Sequence, residues 1–241
     1  IYQINLAIAG IAIGTIILPN LSKNVQSQDK SKIKLIQNKA LELSLFLSLP
    51  ATMALMIAPT EITSALFGYG EFDILSVNNS AKALFYFAIG LPAFSIIKIF
   101  SSFLFARHNT RIPFYFSLIS VILNIIISLY FFKDVGFIII PIATTISSWI
   151  NSLLLFIYLK NNKYFSIELN LIKSLIKIFI STIITSILFY NLVSYFSNKL
   201  NFESEYKLLV IILLVTITFV TYIIISILTK AFKISDIKLK Y

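Results

Sequence analysis

The sequence predicts an all-α, polytopic membrane protein with about seven transmembrane helices. Three observations lead there: the chain is 58% hydrophobic and only 12% charged, its apolar residues fall into long continuous runs, and its basic residues concentrate in alternate loops. Soluble domains contain about twice that share of charged residues, so the bilayer is the expected solvent. Continuous runs without a short-period alternation favour membrane helices over barrel strands.

Seven apolar runs each approach the roughly 20 residues that a helix needs to cross the hydrocarbon core. They lie at Ile1–Leu21, Ala40–Pro59, Ala81–Ala106, Phe114–Phe132, Val135–Leu159, Leu171–Phe196 and Leu208–Thr229. The first run begins without a methionine or a charged segment before it, which is unlike a signal peptide. We therefore expect further residues upstream of Ile1.

The basic residues divide unequally between the two sides of the membrane. Fifteen of the twenty lysines and arginines fall in the loops of one side. The loops of the other side hold Lys82, Lys133, Lys199 and Lys207, together with six acidic residues. The positive-inside rule predicts that the basic side is cytoplasmic, so we expect Tyr241 in the cytoplasm. A protein that starts in the cytoplasm would then need an odd number of spans before Ile1. Because loop orientation explains the net charge of +10, no nucleic-acid partner is expected.

The first two spans contain a small-residue seam and a helix breaker. Gly10 and Gly14 form a GxxxG pair, which lets another helix backbone approach closely. Pro50 removes an intrahelical hydrogen bond and is a candidate hinge or kink. Glu42 is expected at the membrane interface, because Lys39 stands one turn before it.

The third span contains Pro92, a second candidate hinge or kink, and Lys98. A charge at the membrane centre costs about 2.5–3.5 kcal/mol on insertion scales, so Lys98 needs a cavity, a partner or an interface. Arg107 follows nine residues later, about 13 Å along a helix, so the Lys98 ammonium can also reach the headgroups by snorkelling. Both interpretations, cavity lining and snorkelling, remain open.

Asn124 and Asn151 are the polar candidates of the later spans. Interhelical hydrogen bonding is the simpler role for each, and cavity lining is the alternative. Enzymatic activity has no support, because the chain has no cysteine, a single histidine (His108), no glycine-rich phosphate loop and no acid–base pair. Neither a metal site nor a cofactor is therefore predicted.

Four segments succeed one another in an order and spacing that resembles the carboxy-terminal half of the MurJ (MviN) lipid II flippases. They are GTIILPNLSK (Gly14–Lys23), ALELSLFLSLPATMAL (Ala40–Leu55), LFGYGEF (Leu66–Phe72) and AIGLPAFSIIKIFSSFLFARHNTRIP (Ala88–Pro113). This family lies within the multidrug/oligosaccharidyl-lipid/polysaccharide exporter superfamily. The resemblance continues more weakly through Asn124 and Asn151, and beyond about Lys163 it rests on the terminal pair of spans.

The resemblance implies a 14-helix, two-lobed transporter of the bacterial inner membrane that flips lipid II by alternating access for cell wall biosynthesis. Residues 1–163 would be helices of the carboxy-terminal lobe, and residues 164–241 would be two additional helices with a short cytoplasmic tail. The implied partners are lipid II, which is linked to undecaprenyl pyrophosphate, membrane lipids, and an amino-terminal lobe missing from this chain. Lys98 occupies a position where the family often has lysine, whereas Glu42 replaces a frequent basic residue.

Two further classes stay open at this stage. Within the superfamily, the chain could belong to a flippase for another polyprenyl-linked saccharide or to a drug/cation antiporter. Intramembrane arginines would favour a pyrophosphate lipid, and intramembrane carboxylates would favour cation coupling. Outside it, an integral-membrane glycosyltransferase or a non-transporting scaffold is the alternative, although the short outer loops do not favour a glycosyltransferase.

Overall fold

Long apolar helices form the described part of the chain, which in the computed structural model comprises residue 3 and residues 6–231. In chain order these helices are α1 (Ala7–Gln26), α2 (Lys30–Ile57), α3 (Pro59–Phe67), α4 (Ile74–Phe105), α5 (Arg111–Val135), α6 (Ile139–Asn161), α7 (Leu169–Tyr195), α8 (Ser197–Leu200) and α9 (Lys207–Leu228). The first turns of α1, Ala7–Ala12, are wound as a π-helix. No strand occurs among the described residues, and the predicted all-α fold class is confirmed.

Six stretches of the described helices are long and apolar enough to cross a membrane. The longest, Arg111–Asn161, spans 51 residues and contains both α5 and α6. The chain reverses between them at Gly136, whose φ of 71° is accessible to glycine without strain. Counted as two crossings, this hairpin brings the described helices into agreement with the predicted arrangement of about seven spans.

Two helices begin earlier than the apolar runs suggested, because aspartates cap them. Asp29 precedes α2, and the backbone N–H of Lys32 donates to its carboxylate at 3.1 Å. Asp73 precedes α4, and the backbone N–H of Ser76 donates to its carboxylate at 2.8 Å. Each helix therefore begins with polar turns that lie before the apolar run marked by hydropathy.

Helix α3 is an element that the hydropathy pattern missed. Pro59 is the first residue of α3 rather than the last residue of the second span, a position where its missing N–H has no cost. Ile62 and Ala65 are buried where α3 packs against α4 and α9. A turn follows at once, with Gly70 at a φ of 59°.

Helix α4 is the centre of the bundle and packs against α1, α2, α3 and α6. Two apolar cores lie along it. The core near its carboxyl end includes Leu21, Leu41, Ile99, Phe103 and Leu159. The core nearer its amino end includes Leu55, Leu84, Leu91, Phe189 and Leu214. Helix α7 packs on α2, and α9 packs on α2 and α3. Many large apolar side chains are left exposed on the outer helices, as expected of helices that cross a bilayer.

Candidate functional site

Helix α1 crosses α4 closely along the GxxxG pair. A Cβ atom added at Gly10 would lie 3.3 Å from Cγ of Lys98, and one added at Gly14 would lie 2.8 Å from Oγ of Ser102. Both distances are shorter than ordinary contacts, so the two glycines allow this approach. Because Gly10 lies against the Cβ and Cγ atoms of Lys98, the Lys98 side chain runs along this contact between α1 and α4.

Beside this seam, an open groove of about 860 Å³ lies between α1, α4 and the start of α5. We call it the cationic groove, because Lys98 and Arg111 both line it. Its other polar lining residues are Thr15, Ser101, Ser102, Thr110 and Ser117. Apolar side chains, among them Leu18, Phe105 and Phe114, complete the wall.

The two cations of the groove have no counter-charge within the part of the chain that the structure describes. Lys98 is exposed, and neither its ammonium nor the Arg111 guanidinium forms an ion pair or hydrogen bond with a described side chain. No acidic residue lines the groove. The groove therefore presents a positive potential that attracts anionic groups.

A second cavity, of about 450 Å³, lies between α2, α3, α7 and α9. We call it the apolar pocket, since most of its lining is aliphatic or aromatic. Its residues include Leu47, Pro50, Ala51, Leu55, Phe189, Val215, Phe219 and Tyr222. Such a cavity suits a hydrocarbon chain rather than a charged group.

Pro50 lies inside α2 and lines the apolar pocket. Since proline has no N–H, the carbonyl of Phe46, four residues earlier, lacks its usual helical donor. The hydroxyl of Tyr222 on α9 donates to that carbonyl at 2.8 Å, and the Phe46 and Tyr222 rings lie 5.0 Å apart. Helix α9 is thus attached to α2 at the proline.

Pro92 is buried inside α4, where α6 supports the helix around it. The hydroxyl of Thr145 donates to the carbonyl of Tyr86 at 2.7 Å. The indole N–H of Trp149 donates to the carbonyl of Ile89 at 3.2 Å. These two hydrogen bonds join α6 to the backbone of α4. They lie on either side of the carbonyl four residues before Pro92, which has no helical donor because proline lacks an N–H.

The two asparagines lie in helix interfaces and line neither cavity. The Asn124 amide on α5 donates to the Thr144 hydroxyl on α6 at 2.9 Å, which is the interhelical bond expected for it. Asn151 is buried in α6, and its carbonyl oxygen has no partner among the described residues. The structure therefore separates the predicted candidates: Lys98 lies in the cationic groove, Pro50 in the apolar pocket, and the others in helix contacts.

Two residues of the cavities were not singled out from the sequence. Arg111 was counted as a loop charge, although it stands two residues before Pro113 and is the first residue of α5. Tyr222 is one of several tyrosines, and the carbonyl that it reaches is 176 residues away in sequence. The one signal in the sequence was Pro50, because a proline inside a helix leaves the carbonyl four residues earlier without its helical N–H donor.

A bundle of membrane-crossing helices that also holds unpaired cations in an open groove is typical of a multi-pass membrane transporter. A family model described as "Lipid II flippase MurJ" matches residues 1–211, and the chain belongs to that family.

Individual relatives agree with this assignment. A probable lipid II flippase MurJ of Rickettsia prowazekii is 34% identical over 209 residues, which cover 87% of this chain and 41% of the relative. One of Rhizobium meliloti is 37% identical over 156 residues, covering 65% of this chain and 29% of the relative. The solved structure named "Lipid II flippase MurJ, inward closed conformation" matches with a TM-score of 0.74 and 26% identity, covering 95% of this chain and 45% of that one. The chain thus spans less than half the length of each of these proteins.

Proposed function

We propose that this chain is the carboxy-terminal lobe of a flippase that moves lipid II across the bacterial inner membrane by alternating access. Residues 1–163 supply the helices of the lobe. Residues 164–241 supply two additional helices and a short cytoplasmic tail, of which residues 232–241 lie outside the described part of the chain. Membership in the lipid II flippase family and the succession of membrane-crossing helices support this assignment.

The observation on which the proposal depends is the cationic groove. Lys98 and Arg111 line one open cavity, and no described carboxylate neutralises them. Unpaired cations among membrane helices are costly and mark substrate paths. A pyrophosphate group offers several anionic oxygens, with which an ammonium and a guanidinium form charge-assisted hydrogen bonds. An amino-terminal lobe facing α1 and α5 would complete the cavity.

The apolar pocket supports the same substrate class independently of the groove. Helices α7 and α9, the two additional helices, contribute Phe189, Val215 and Phe219 to its wall. An apolar lining accepts a polyprenyl tail from the bilayer without exposing it to water or burying a polar group against it. Pro50 and Pro92 are the proposed bending points of the two helices that flank these cavities.

The first test is complementation by the complete protein in a bacterium depleted of its own lipid II flippase. We expect growth and restored translocation of the precursor. If the complete protein is inserted and abundant but does not restore translocation, a different polyprenyl-linked saccharide or a drug/cation substrate becomes the better assignment.

The second test addresses the groove in the same strain. We expect the double substitution Lys98→Met/Arg111→Met to lower translocation by at least about tenfold at normal protein abundance, because both positive charges would be lost. Lys82→Met is the matched control, since Lys82 is an exposed lysine of the same helix outside the groove. Full activity of the double variant would remove the groove from the substrate path.

A further inference from the structure

We propose that the chain has a second anion-binding site, separate from the cationic groove, which holds a phosphate group at the basic end of the bundle. The site is a cavity of about 460 Å³ bounded by the α1–α2 turn, the end of α4 and the α6–α7 loop. We call it the basic pocket. It shares no lining residue with the cationic groove, so the inference is independent of the proposed transport function.

Four cationic residues line the basic pocket, and no acidic residue does. They are Lys30, Lys34, Arg107 and Lys163. Two carboxylates lie close by in sequence or space: Glu168 is 3.7 Å from the Lys34 ammonium, and Asp29 pairs with Lys32 at 3.2 Å. One of the four cations is therefore partly neutralised, and the pocket keeps a positive excess.

Arg107 is held in place by the backbone rather than by a carboxylate. Its guanidinium donates to the carbonyl of Phe103 at 2.8 Å and to that of Tyr164 at 3.0 Å, and it lies 4.8 Å from the centre of the Tyr164 ring. Burial lowers the pKa of Arg107, since the charged form loses solvation there. The remaining N–H donors are available to an anion, which would restore the lost solvation.

Gln37 supplies the observation that points most directly to a ligand. Its side chain is 1% exposed and lines the basic pocket. Its amide nitrogen, a hydrogen-bond donor, has no partner among the described residues. Buried donors are almost always paired in folded proteins, so an acceptor from outside the chain is expected here. A phosphate oxygen provides both that acceptor and the negative charge that the neighbouring cations require.

The walls of the pocket are fixed before any ligand arrives. The Asn38 amide donates to the carbonyl of Ser166 at 3.0 Å, and its carbonyl accepts from the backbone N–H of Glu168 at 3.0 Å. These bonds attach the α6–α7 loop to α2. A preformed site of this kind loses little conformational entropy when it binds.

A phosphate group could reach this pocket from two sources: the headgroup of an anionic phospholipid or soluble phosphate. Both present the same chemistry to the cations and to Gln37. The experiment uses the complete protein in detergent, with two probes. Inorganic phosphate is titrated against chloride at constant ionic strength while thermal unfolding is followed. Retained lipid is counted by native mass spectrometry after extraction from vesicles of phosphatidylglycerol or of phosphatidylcholine.

We expect at least one probe to bind the unaltered protein and to bind Lys30→Gln/Lys163→Asn at least about tenfold more weakly. Asparagine is chosen because Lys163 has a φ of 57°, which asparagine tolerates. The matched control is Lys160→Gln/Lys173→Gln, which removes two exposed lysines of the same end that do not line the pocket. Retention of phosphatidylglycerol alone identifies the headgroup as the ligand, and stabilisation by inorganic phosphate identifies the soluble anion; both results support the site.

Gln37→Leu separates a built site from general surface charge, because it removes the donor and keeps every cation. We expect this variant to unfold at an unchanged or higher temperature without a probe, and to bind the effective probe several-fold more weakly. The inference is overturned if neither probe binds the unaltered protein, if the control loses as much affinity as Lys30→Gln/Lys163→Asn, or if Gln37→Leu keeps full affinity.

Discussion

Lys207 is a buried cation that joins the α3–α4 loop to the α8–α9 loop. Its side chain is 2% exposed at the first turn of α9, and its ammonium donates to the carbonyls of Gly68 at 2.7 Å and Phe202 at 2.6 Å. The ammonium also lies 4.4 Å from the Tyr69 ring centre and 4.6 Å from that of Phe202. No described carboxylate forms an ion pair with it, so backbone carbonyls and aromatic rings alone stabilise the charge.

We expect Lys207→Met to destabilise the complete protein by about 2–4 kcal/mol, because two buried carbonyls would lose their donor. The measurement is thermal unfolding in detergent. Lys199→Met is the matched control, since Lys199 is exposed and lies 5.8 Å from the Phe196 ring. An unfolding temperature equal to that of the control would show that the loops are held without this lysine.

Single residues were predictable where their chemistry is local. Lys39 and Glu42 stand one turn apart in sequence, and in the structure they form an ion pair at 2.7 Å. The roles of Lys207 and Gln37 were not predictable. Lys207 binds a carbonyl 139 residues away, and the unpaired Gln37 amide nitrogen depends on how distant loops pack around it. For Lys98, the sequence showed that a charge needed an explanation, and only the folded chain shows the groove into which it projects.

At the scale of elements, the contact between α2 and α9 lends itself to a double-mutant cycle. If the Tyr222 hydroxyl serves the Phe46 carbonyl because Pro50 cannot, Tyr222→Phe should cost about 1 kcal/mol of stability. In a Pro50→Ala background the alanine N–H supplies the donor, so the same change should cost less. We expect a coupling energy of about 0.5–1 kcal/mol from thermal or denaturant unfolding.

The control for this cycle is Tyr190→Phe, since Tyr190 is 63% exposed on the neighbouring α7. Additive effects of Pro50→Ala and Tyr222→Phe would mean that the tyrosine stabilises α9 by ring packing alone.

The start of α4 depends on its capping aspartate. The backbone N–H and hydroxyl of Ser76 lower the pKa of Asp73 by bonding its charged form. Because the pKa is lower in the folded state, the cap stabilises the protein above the ordinary aspartate pKa, and this contribution is lost as the pH falls through the folded value. We expect Asp73→Ala to lower the unfolding temperature at pH 7, and the difference from the unaltered protein to shrink towards pH 3.

Asp73→Asn is the companion variant, because asparagine also caps helices but does not titrate in this range. A difference between Asp73→Ala and the unaltered protein that does not change with pH would contradict an ionised cap.

Helices were predicted well where a long apolar run defines them. They were predicted less well where a capping residue or a proline sets their first turn. The apolar runs located the membrane-crossing helices, since a helix is required wherever the chain crosses lipid. The short helix α3 and the polar first turns of α2 were missed, because an aspartate cap or a proline at the first helical position marks them, and both are common in loops too.

For the whole molecule, the cationic groove and the apolar pocket each bring together helices that are far apart in sequence. The cationic groove joins α1 to α4 and α5, and the apolar pocket joins α2 to α7 and α9. Hydropathy does not specify which helices become neighbours, so the composition of a cavity wall was not predictable from the runs themselves. The resemblance to the flippase family supplied the expected order of helices. The contacts at Gly10 and Tyr222 show how α1 meets α4 and how α9 meets α2.

The openness of the cationic groove leads to a prediction about the isolated chain. The groove is bordered by α1 and α5, whose outer apolar residues, such as Ile11 and Phe114, are exposed, and nothing among the described residues closes it. Alternating access requires a second body against which the first can rock, so that the cavity opens to one side at a time. We therefore expect residues 1–241 alone, reconstituted in vesicles, to show no translocation of fluorescent lipid II above protein-free vesicles. Elution as a single species from size exclusion would show that the preparation is folded, and co-reconstitution with a separately expressed amino-terminal lobe should restore activity. Translocation by residues 1–241 alone at the rate of the complete protein would mean that one lobe, or a pair of identical lobes, suffices.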